Sequence, residues 1–167
     1  METIAITPLS EDYRKYIVEH IGIPVAINGL NLFYQKNACH VNSIIFSDFI
    51  NNGNGELHCS VIEGIVINED GLAYGHFWNK LNDSEGNIQY TDVTMDAIVS
   101  ADEQALKKTY YIMSERNVDD LLNLIKTRDD LFSDKVTNAV SDYYDNHPDQ
   151  RERFEGLKNT LSKGQTT

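Results

Sequence analysis

Three side chains of the types that perform acyl chemistry occur in order along the chain: Cys39 in QKNACHVNS, His76 in GHFWN and Asp92 in YTDVT. The thiolate is the reactive form of cysteine, and a neighbouring imidazole can accept the thiol proton and later return it to a leaving group. A carboxylate that bonds the far ring nitrogen fixes the tautomer and the angle of the imidazole. The order therefore predicts a nucleophile, a base and an orienting group.

The nucleophile is predicted to open a helix. Residues 39–50 (CHVNSIIFSDFI) place their large apolar side chains on one helical face, and the asparagines and glycines of residues 51–55 end the helix. The unpaired N–H groups and the dipole at a helix start stabilise a thiolate, and the same N–H groups could stabilise an oxyanion. The sequence therefore predicts that Cys39 is activated by its position.

The base and the orienting group are predicted to lie on neighbouring strands. Runs rich in β-branched and aromatic residues, separated by polar turns, are typical of an antiparallel meander. His76 belongs to the second run and Asp92 to the third, and facing residues on paired antiparallel strands have Cβ atoms about 5 Å apart. We therefore expect His76 to contact Asp92. The predicted strands are Leu57–Asn68, Leu72–Leu81 and Ile88–Thr94, with a fourth at Lys107–Ser114.

Helical periodicity and breaker residues mark the remaining elements. We expect an α+β domain of catalytic type over residues 1–115 and a helical C-terminal segment over residues 116–167 that packs on it. The N-terminal elements are predicted as a helix from Ser10 to Gly22, an extended segment at Pro24 and a turn at Asn28-Gly29. The C-terminal helices are predicted at Val118–Lys126, 131–146 and Asp149–Leu161, with a break at Pro148 and a frayed tail after Leu161.

Composition limits the partners and the location. The chain has 167 residues and a net charge of −12, so it repels nucleic-acid phosphates, and a general nucleic-acid binder is not expected. No run approaches the roughly 18 apolar residues of a membrane span, and the N-terminal residues lack the pattern of a signal peptide. Because Cys39 and Cys59 are the two cysteines and no secretory signal is present, we expect reduced thiols and a cytoplasmic protein.

Residues 35–95 resemble the papain-like and transglutaminase-like cysteine fold, in which a cysteine-bearing helix packs on an antiparallel sheet that supplies histidine and then aspartate or asparagine. The matching pieces are QKNACHVNS, VIEGIVIN, GHFWN and YTDVT, and the short spacing from His76 to Asp92 is closer to transglutaminase-like proteins. The resemblance implies a thiol-dependent, peptidase-like hydrolase or acyl transferase without a cofactor, acting on an amide or ester of a protein or peptide. Cys39 would attack and form a thioester, which water or an amine releases, and Gln35 would stabilise the oxyanion.

Each of these residues also has a structural interpretation. A cysteine near a helix start is often a small buried hydrophobe, and a histidine on a strand is often a hydrogen-bonded structural residue. A zinc site is not expected, because His58 and Cys59 would point to opposite faces of a strand and no spaced cysteine pair is present. We interpret Trp78 and Tyr90 as residues that could line a cleft beside the nucleophile.

Two further functions stay open at the level of sequence. The first is a non-catalytic acidic binding or inhibitory protein that uses the same fold as a scaffold and takes a basic protein surface as its partner, a role that would suit a phage-encoded protein. The second is a small-molecule site in which Trp78, Tyr74 and Tyr90 stack on a ring while His76 holds a polar group.

Overall fold

A curled antiparallel sheet joins strands from both ends of the chain. The computed structural model describes residues 2–20, 25–27, 29–53, 55–127 and 131–164. The strands in these residues are β1 (Glu2–Ile4), β2 (Val25–Ile27), β3 (Leu30–Leu32), β4 (Leu57–Asn68), β5 (Ala73–Asp83), β6 (Ile88–Thr91) and β7 (Lys108–Arg116). The main sheet has the order β1-β7-β4-β5-β6 with every neighbouring pair antiparallel, while β2 and β3 form a separate hairpin-like pair.

Helices pack on this sheet, and the last three of them follow its final strand in the sequence. They are α1 (Glu11–Glu19), α2 (Cys39–Asn51), α3 (Ala101–Ala105), α4 (Val118–Thr127), α5 (Asp134–Asn146) and α6 (Pro148–Gly164), with one wide π-helical turn at Thr94–Ile98. The mixed α+β class with an antiparallel sheet, predicted from the sequence, is confirmed. Gly22, Pro24 and Asn28, which carry the predicted helix end, extended segment and turn, lie outside the described residues.

Apolar side chains fill the space on both faces of the sheet. On one face, Ile44 and Phe46 of α2 pack against Val61 and Phe77 of the central strands, and α4 adds Leu121 to the same cluster. The opposite face carries a second cluster, composed of Ile62, Val66, Trp78 and Tyr110. Because both faces are covered, the middle of β4 is buried without interruption rather than at every second residue. The helix α5 contacts β4 and β5, so the C-terminal segment packs on the same sheet.

The third predicted strand is shorter than expected. It was expected to run to Thr94, but β6 ends at Thr91 and the chain turns into the π-helical segment. Asp92 accounts for the turn, because its Oδ1 atom accepts the backbone N–H of Met95 at 3.1 Å and its carbonyl oxygen accepts the N–H of Asp96. A carboxylate that accepts a nearby backbone N–H favours such a local turn over a sheet ladder. Asp92 therefore leaves the strand while staying beside β5.

Local signals define the helix starts. Ser10 lies in an extended conformation before α1, and its Oγ atom accepts the Tyr13 N–H at 3.4 Å. The break expected at Pro148 is present, because α5 ends at Asn146 and Pro148 is the first residue of α6, where its missing N–H breaks no helical hydrogen bond. The helix α2 begins at Cys39, as predicted from its spacing.

Gly64 of β4 lies where the Tyr111 backbone and the Trp78 ring approach the strand closely. It lies opposite His76 in the register, at a bulge where β7 has one additional residue. A Cβ atom at this position would lie 2.1 Å from the Tyr111 carbonyl oxygen and 2.4 Å from the Trp78 ring. No side chain can occupy that space, so glycine is required by the close approach of strand and ring.

Candidate active site

The thiol of Cys39 lies at the start of α2 and at the edge of a cavity. Its side chain is half-buried, and the first hydrogen bond of the helix runs from the Asn42 N–H to the Ala38 oxygen at 2.9 Å. The N–H groups of residues 39–41 therefore lack acceptors within the helix. This geometry puts the sulfur beside several unpaired donors and the positive end of the helix dipole.

His76 and Asp92 form a buried hydrogen-bonded pair. The Nε2 atom of His76 lies 2.7 Å from Oδ2 of Asp92, and only 5% of His76 and 1% of Asp92 are exposed. Pairing of β5 with β6 brings the two together, because Asn79 lies opposite Thr91 in the register. Since Nε2 is directed at the carboxylate, Nδ1 is the ring nitrogen that remains for another partner.

That partner is the Cys39 thiol. Burial by itself raises the pKa of this thiol, but the charge of His76 and hydrogen bonds from His40, His76 and the Phe77 backbone outweigh it and lower the pKa to about 6. Cys39 is consequently a thiolate at neutral pH. The structure thus brings together the three residues that the sequence singled out, from helix α2, strand β5 and the turn after β6.

The protonation of the imidazole follows from the same contacts. Burial alone lowers the pKa of His76, whereas the charges of Asp92 and Cys39 and the hydrogen bonds to both raise it to about 10. Burial also opposes ionisation of Asp92, yet the charge and hydrogen bond of His76, with the Tyr110 hydroxyl and the Met95 N–H, lower the pKa of that carboxyl group. The resting site at neutral pH is therefore a thiolate, an imidazolium and a carboxylate.

Tyr110 is a contact that the sequence did not indicate. Its hydroxyl donates to Oδ2 of Asp92 at 2.6 Å, the same oxygen that His76 bonds. Tyr110 lies on β7, which is separated from β5 by β4, and it reaches Asp92 across a curled sheet. No pattern in KKTYYIMS distinguishes this tyrosine from its neighbour, so only the three-dimensional arrangement identifies it.

Asn42 holds the loop before the nucleophile. Its side chain is fully buried and accepts the Gln35 N–H at 2.7 Å, while its Nδ2 atom donates to the Gln35 carbonyl at 2.6 Å and to Oγ1 of Thr94 at 2.9 Å. These bonds fasten the start of α2 to the π-helical turn. No pattern in the sequence separates this asparagine from other polar residues of α2 such as Ser43, Ser47 and Asp48.

A cavity of about 470 Å³ opens beside the sulfur and the imidazole. Its wall combines apolar side chains with charged ones, and Asp92 lies behind His76 rather than on the wall. The residues that line it are Asn37, Cys39, Asn68, Asp70, Leu72, Tyr74, Gly75, His76, Thr94, Met95, Val99, Glu103, Leu106, Lys108, Arg153 and Leu157.

Three accessory predictions are wrong in their placement. Gln35 is exposed and engages Asn42 only through its backbone, so its side chain is not on the wall of the cavity. Trp78 is 0% exposed, because it points into the second apolar cluster together with Tyr110. Tyr90 packs on that same cluster instead of lining the cavity. Of the three aromatic residues proposed for stacking, the cavity contains Tyr74.

Comparison of the chain with protein-family models, with curated proteins and with solved structures finds no match. In the part of the chain that the structure describes, no three His, Cys, Asp or Glu side chains are grouped as a metal site requires. Within the same residues, no helix has the length and apolar character needed to cross a membrane. Function must therefore be inferred from the chemistry of the site.

Proposed function

We propose that this protein is a thiol-dependent hydrolase or acyl transferase that acts on an amide or ester bond, with a papain-like or transglutaminase-like arrangement of catalytic groups. The observation that carries the proposal is a half-buried thiol, with its pKa lowered to about 6, beside a buried histidine whose other nitrogen lies 2.7 Å from a buried carboxylate. Structural cysteines are usually inert because burial raises their pKa, whereas this thiol is ionised and faces a cavity.

The proposed reaction has two halves. The Cys39 thiolate attacks the carbonyl carbon, and the unpaired N–H groups at the start of α2 stabilise the oxyanion. The imidazolium of His76 donates its proton to the leaving amine or alcohol as the carbon–heteroatom bond breaks, which leaves a thioester on Cys39. Neutral His76 then takes a proton from water or from an acceptor amine, which attacks the thioester and releases the acid or the new amide. Asp92 keeps the imidazole oriented and stabilises its charged form.

The state of the second cysteine fits this assignment. Cys59 is buried, and burial raises the pKa of its thiol to about 12 despite hydrogen bonds from Ser47 and Asn79. Two thiols of the same chain therefore differ by several pKa units because of their surroundings. Both are unpaired, and we propose that the protein works in a reducing compartment such as the cytoplasm.

Acylation by an activated ester tests the proposal. We expect p-nitrophenyl acetate to release p-nitrophenol in a burst of one equivalent and to leave one acetyl group on Cys39, located by mass spectrometry of a digest. Cys39→Ser should lose the burst, His76→Ala should keep a slower burst but lose the turnover that follows it, and the matched control Cys59→Ser should keep both. If acetylation is absent, or if it occurs equally on surface residues of Cys39→Ser, the protein is not an acyl-transfer enzyme, and the acidic binding function becomes the better explanation.

A further inference from the structure

The charged residues of the cavity are not equally neutralised. Arg153 lies 3.1 Å from Oδ2 of Asp70, and Lys36 lies 3.3 Å from Oε2 of Glu103, so each of the two carboxylates on the wall already has a cation. Apart from the charged pair of Cys39 and His76, the remaining charge on the described wall is Lys108. Within the described residues, Lys108 forms no ion pair with Asp70, Glu103 or Asp92.

Two of the three N–H donors of Lys108 are bound by acceptors in the described residues. Its Nζ atom donates to the carbonyl oxygens of Glu103 at 2.7 Å and of Leu106 at 3.0 Å, both neutral acceptors. An ammonium group has three N–H donors, so one remains after these bonds. The side chain is half-buried, and the two carbonyls fix the position of the charge against the wall of the cavity.

The position of Lys108 relates it directly to the proposed catalytic groups. Lys108 and Tyr110 are two residues apart on β7 and therefore point to the same face of the strand. Tyr110 reaches Asp92 behind the imidazole, while Lys108, about 7 Å further along the strand, lines the same cavity as Cys39 and His76. A substrate in this cavity would therefore contact both Lys108 and the reacting pair.

Burial and the neighbouring carboxylates act on the Lys108 amine in opposite directions. Burial lowers the pKa of this amine, and the charges of Asp92, Glu103, Asp70 and Glu69 raise it without fully compensating for burial. Asp92 is committed to its own hydrogen bonds, and the two wall carboxylates have the cations described above. No described residue accepts the third N–H, so a carboxylate that enters the cavity would supply an acceptor for it. Charge-assisted bonds of this kind are stronger than neutral ones.

We propose that Lys108 binds a carboxylate carried by the acyl group of the substrate, so that the cavity selects acyl chains that end in a negative charge over neutral chains of equal length. This inference rests on the proposed function. The volume of about 470 Å³ accommodates a chain of several carbons, with Leu72 and Leu106 available to contact its methylene groups. The preferred acyl donor is then a dicarboxylic monoamide or monoester.

Two esters of the same chain length test the selection. Mono-p-nitrophenyl glutarate and p-nitrophenyl valerate both carry five-carbon acyl groups, and only the first ends in a carboxylate. We expect the wild-type protein to acylate Cys39 with a kcat/KM about tenfold to a hundredfold higher for the glutarate ester, as one charge-assisted hydrogen bond allows. Lys108→Met should bring the ratio of the two kcat/KM values close to one, and Lys108→Arg should restore much of the preference.

The neighbouring Lys107 is the matched control, because it is exposed and carries the same charge. Lys107→Met should keep the wild-type preference. Equal reaction of the two esters in the wild-type protein, or equal loss of preference in Lys107→Met and Lys108→Met, would overturn the carboxylate subsite while the acylation of Cys39 still supported the proposed function. Failure of both esters to acylate Cys39 would instead remove the proposed function, and the subsite with it.

Discussion

Replacing His76 with alanine removes the main group that ionises the Cys39 thiol. The charge of His76 and its hydrogen bond are what offset burial and lower the pKa of Cys39 to about 6. In His76→Ala the hydrogen bonds from His40 and from the Phe77 backbone still lower the pKa of Cys39. They oppose burial, which raises this pKa, less strongly than the full set of contacts does. We therefore expect the midpoint of thiolate formation to rise to about 8.5 or higher, the ordinary range of a cysteine.

The size of the effect decides which measurement is informative. With a pKa of about 6, about nine tenths of the wild-type thiol is ionised at pH 7, against about 3% for a pKa of about 8.5, a difference of about thirtyfold. A thiolate of lower pKa is also a weaker nucleophile, and for a change of this size the loss is roughly tenfold. The net change in alkylation rate at pH 7 is then only about threefold, so a rate at a single pH is a poor test.

The informative assay is the full pH profile of alkylation. We expect iodoacetamide labelling of Cys39, followed by mass spectrometry, to show a midpoint near pH 6 in the wild-type protein and in the control Cys59→Ser. In His76→Ala the midpoint should move upward by two units or more. A wild-type midpoint near that of a free cysteine, or an unchanged midpoint in His76→Ala, would refute the ionised pair.

The same pair predicts the shape of the activity profile. Acyl transfer to Cys39 from an amide needs the thiolate as nucleophile and the imidazolium as acid. Ionisation of Cys39 gives an acidic limb near pH 6, and loss of the His76 proton, whose pKa is raised to about 10, gives an alkaline limb. The two values belong to the coupled pair and would be read from a bell-shaped curve. Activity that rises continuously through this range would contradict the assignment of His76 as the acid.

Three more substitutions test Tyr110 and the packing around Gly64. Tyr110→Phe removes the 2.6 Å hydrogen bond to Asp92 but leaves the His76 bond, so we expect the pH midpoint of Cys39 ionisation to shift by less than in His76→Ala, with an unchanged circular dichroism spectrum. No shift would mean that Tyr110 is purely structural. Gly64→Ala should lower the free energy of unfolding by about 1–3 kcal/mol or more, because its Cβ would lie 2.1 Å from a carbonyl oxygen. In the control Gly156→Ala in α6, a Cβ meets no atom within 4 Å, so we expect the free energy of unfolding to rise by about 0.5–1 kcal/mol. Urea unfolding measures both changes. Equal midpoints for the two glycine variants would contradict the close packing described at the bulge.

Local signals in the sequence predicted much of the frame. The bounds of β4 are those expected from its run of β-branched residues, and α2 begins at Cys39 because its apolar spacing and the following asparagines and glycines define it locally. The strand meander also predicted that His76 would meet Asp92, although Asp92 makes this contact from the turn after β6 and not as a facing residue on the strand. These features depend on short-range preferences, which a single sequence displays directly.

The accessory residues were not predictable in the same way. Gln35, Trp78 and Tyr90 were chosen by residue type and nearness to the proposed nucleophile, but the direction of a side chain depends on which face of the sheet it shares and what packs there. Trp78 fills the space above Gly64 and so cannot line a cavity. Residue type and spacing in the sequence identify a candidate site residue, whereas the packing of the folded chain decides whether its side chain is accessible to a substrate.

The amino-acid sequence by itself determined the α+β class, the helix that begins at Cys39 and the order in which thiol, imidazole and carboxylate follow one another. Only the tertiary structure decided that Tyr110 shares the Asp92 oxygen and that Lys108 faces the cavity of Cys39 with a donor unused. The reason is physical: helices and strands form from preferences between near neighbours in the chain. A cavity wall is assembled from residues as distant as Asn37 and Leu157, which meet only when the whole sheet has curled and its helices have packed.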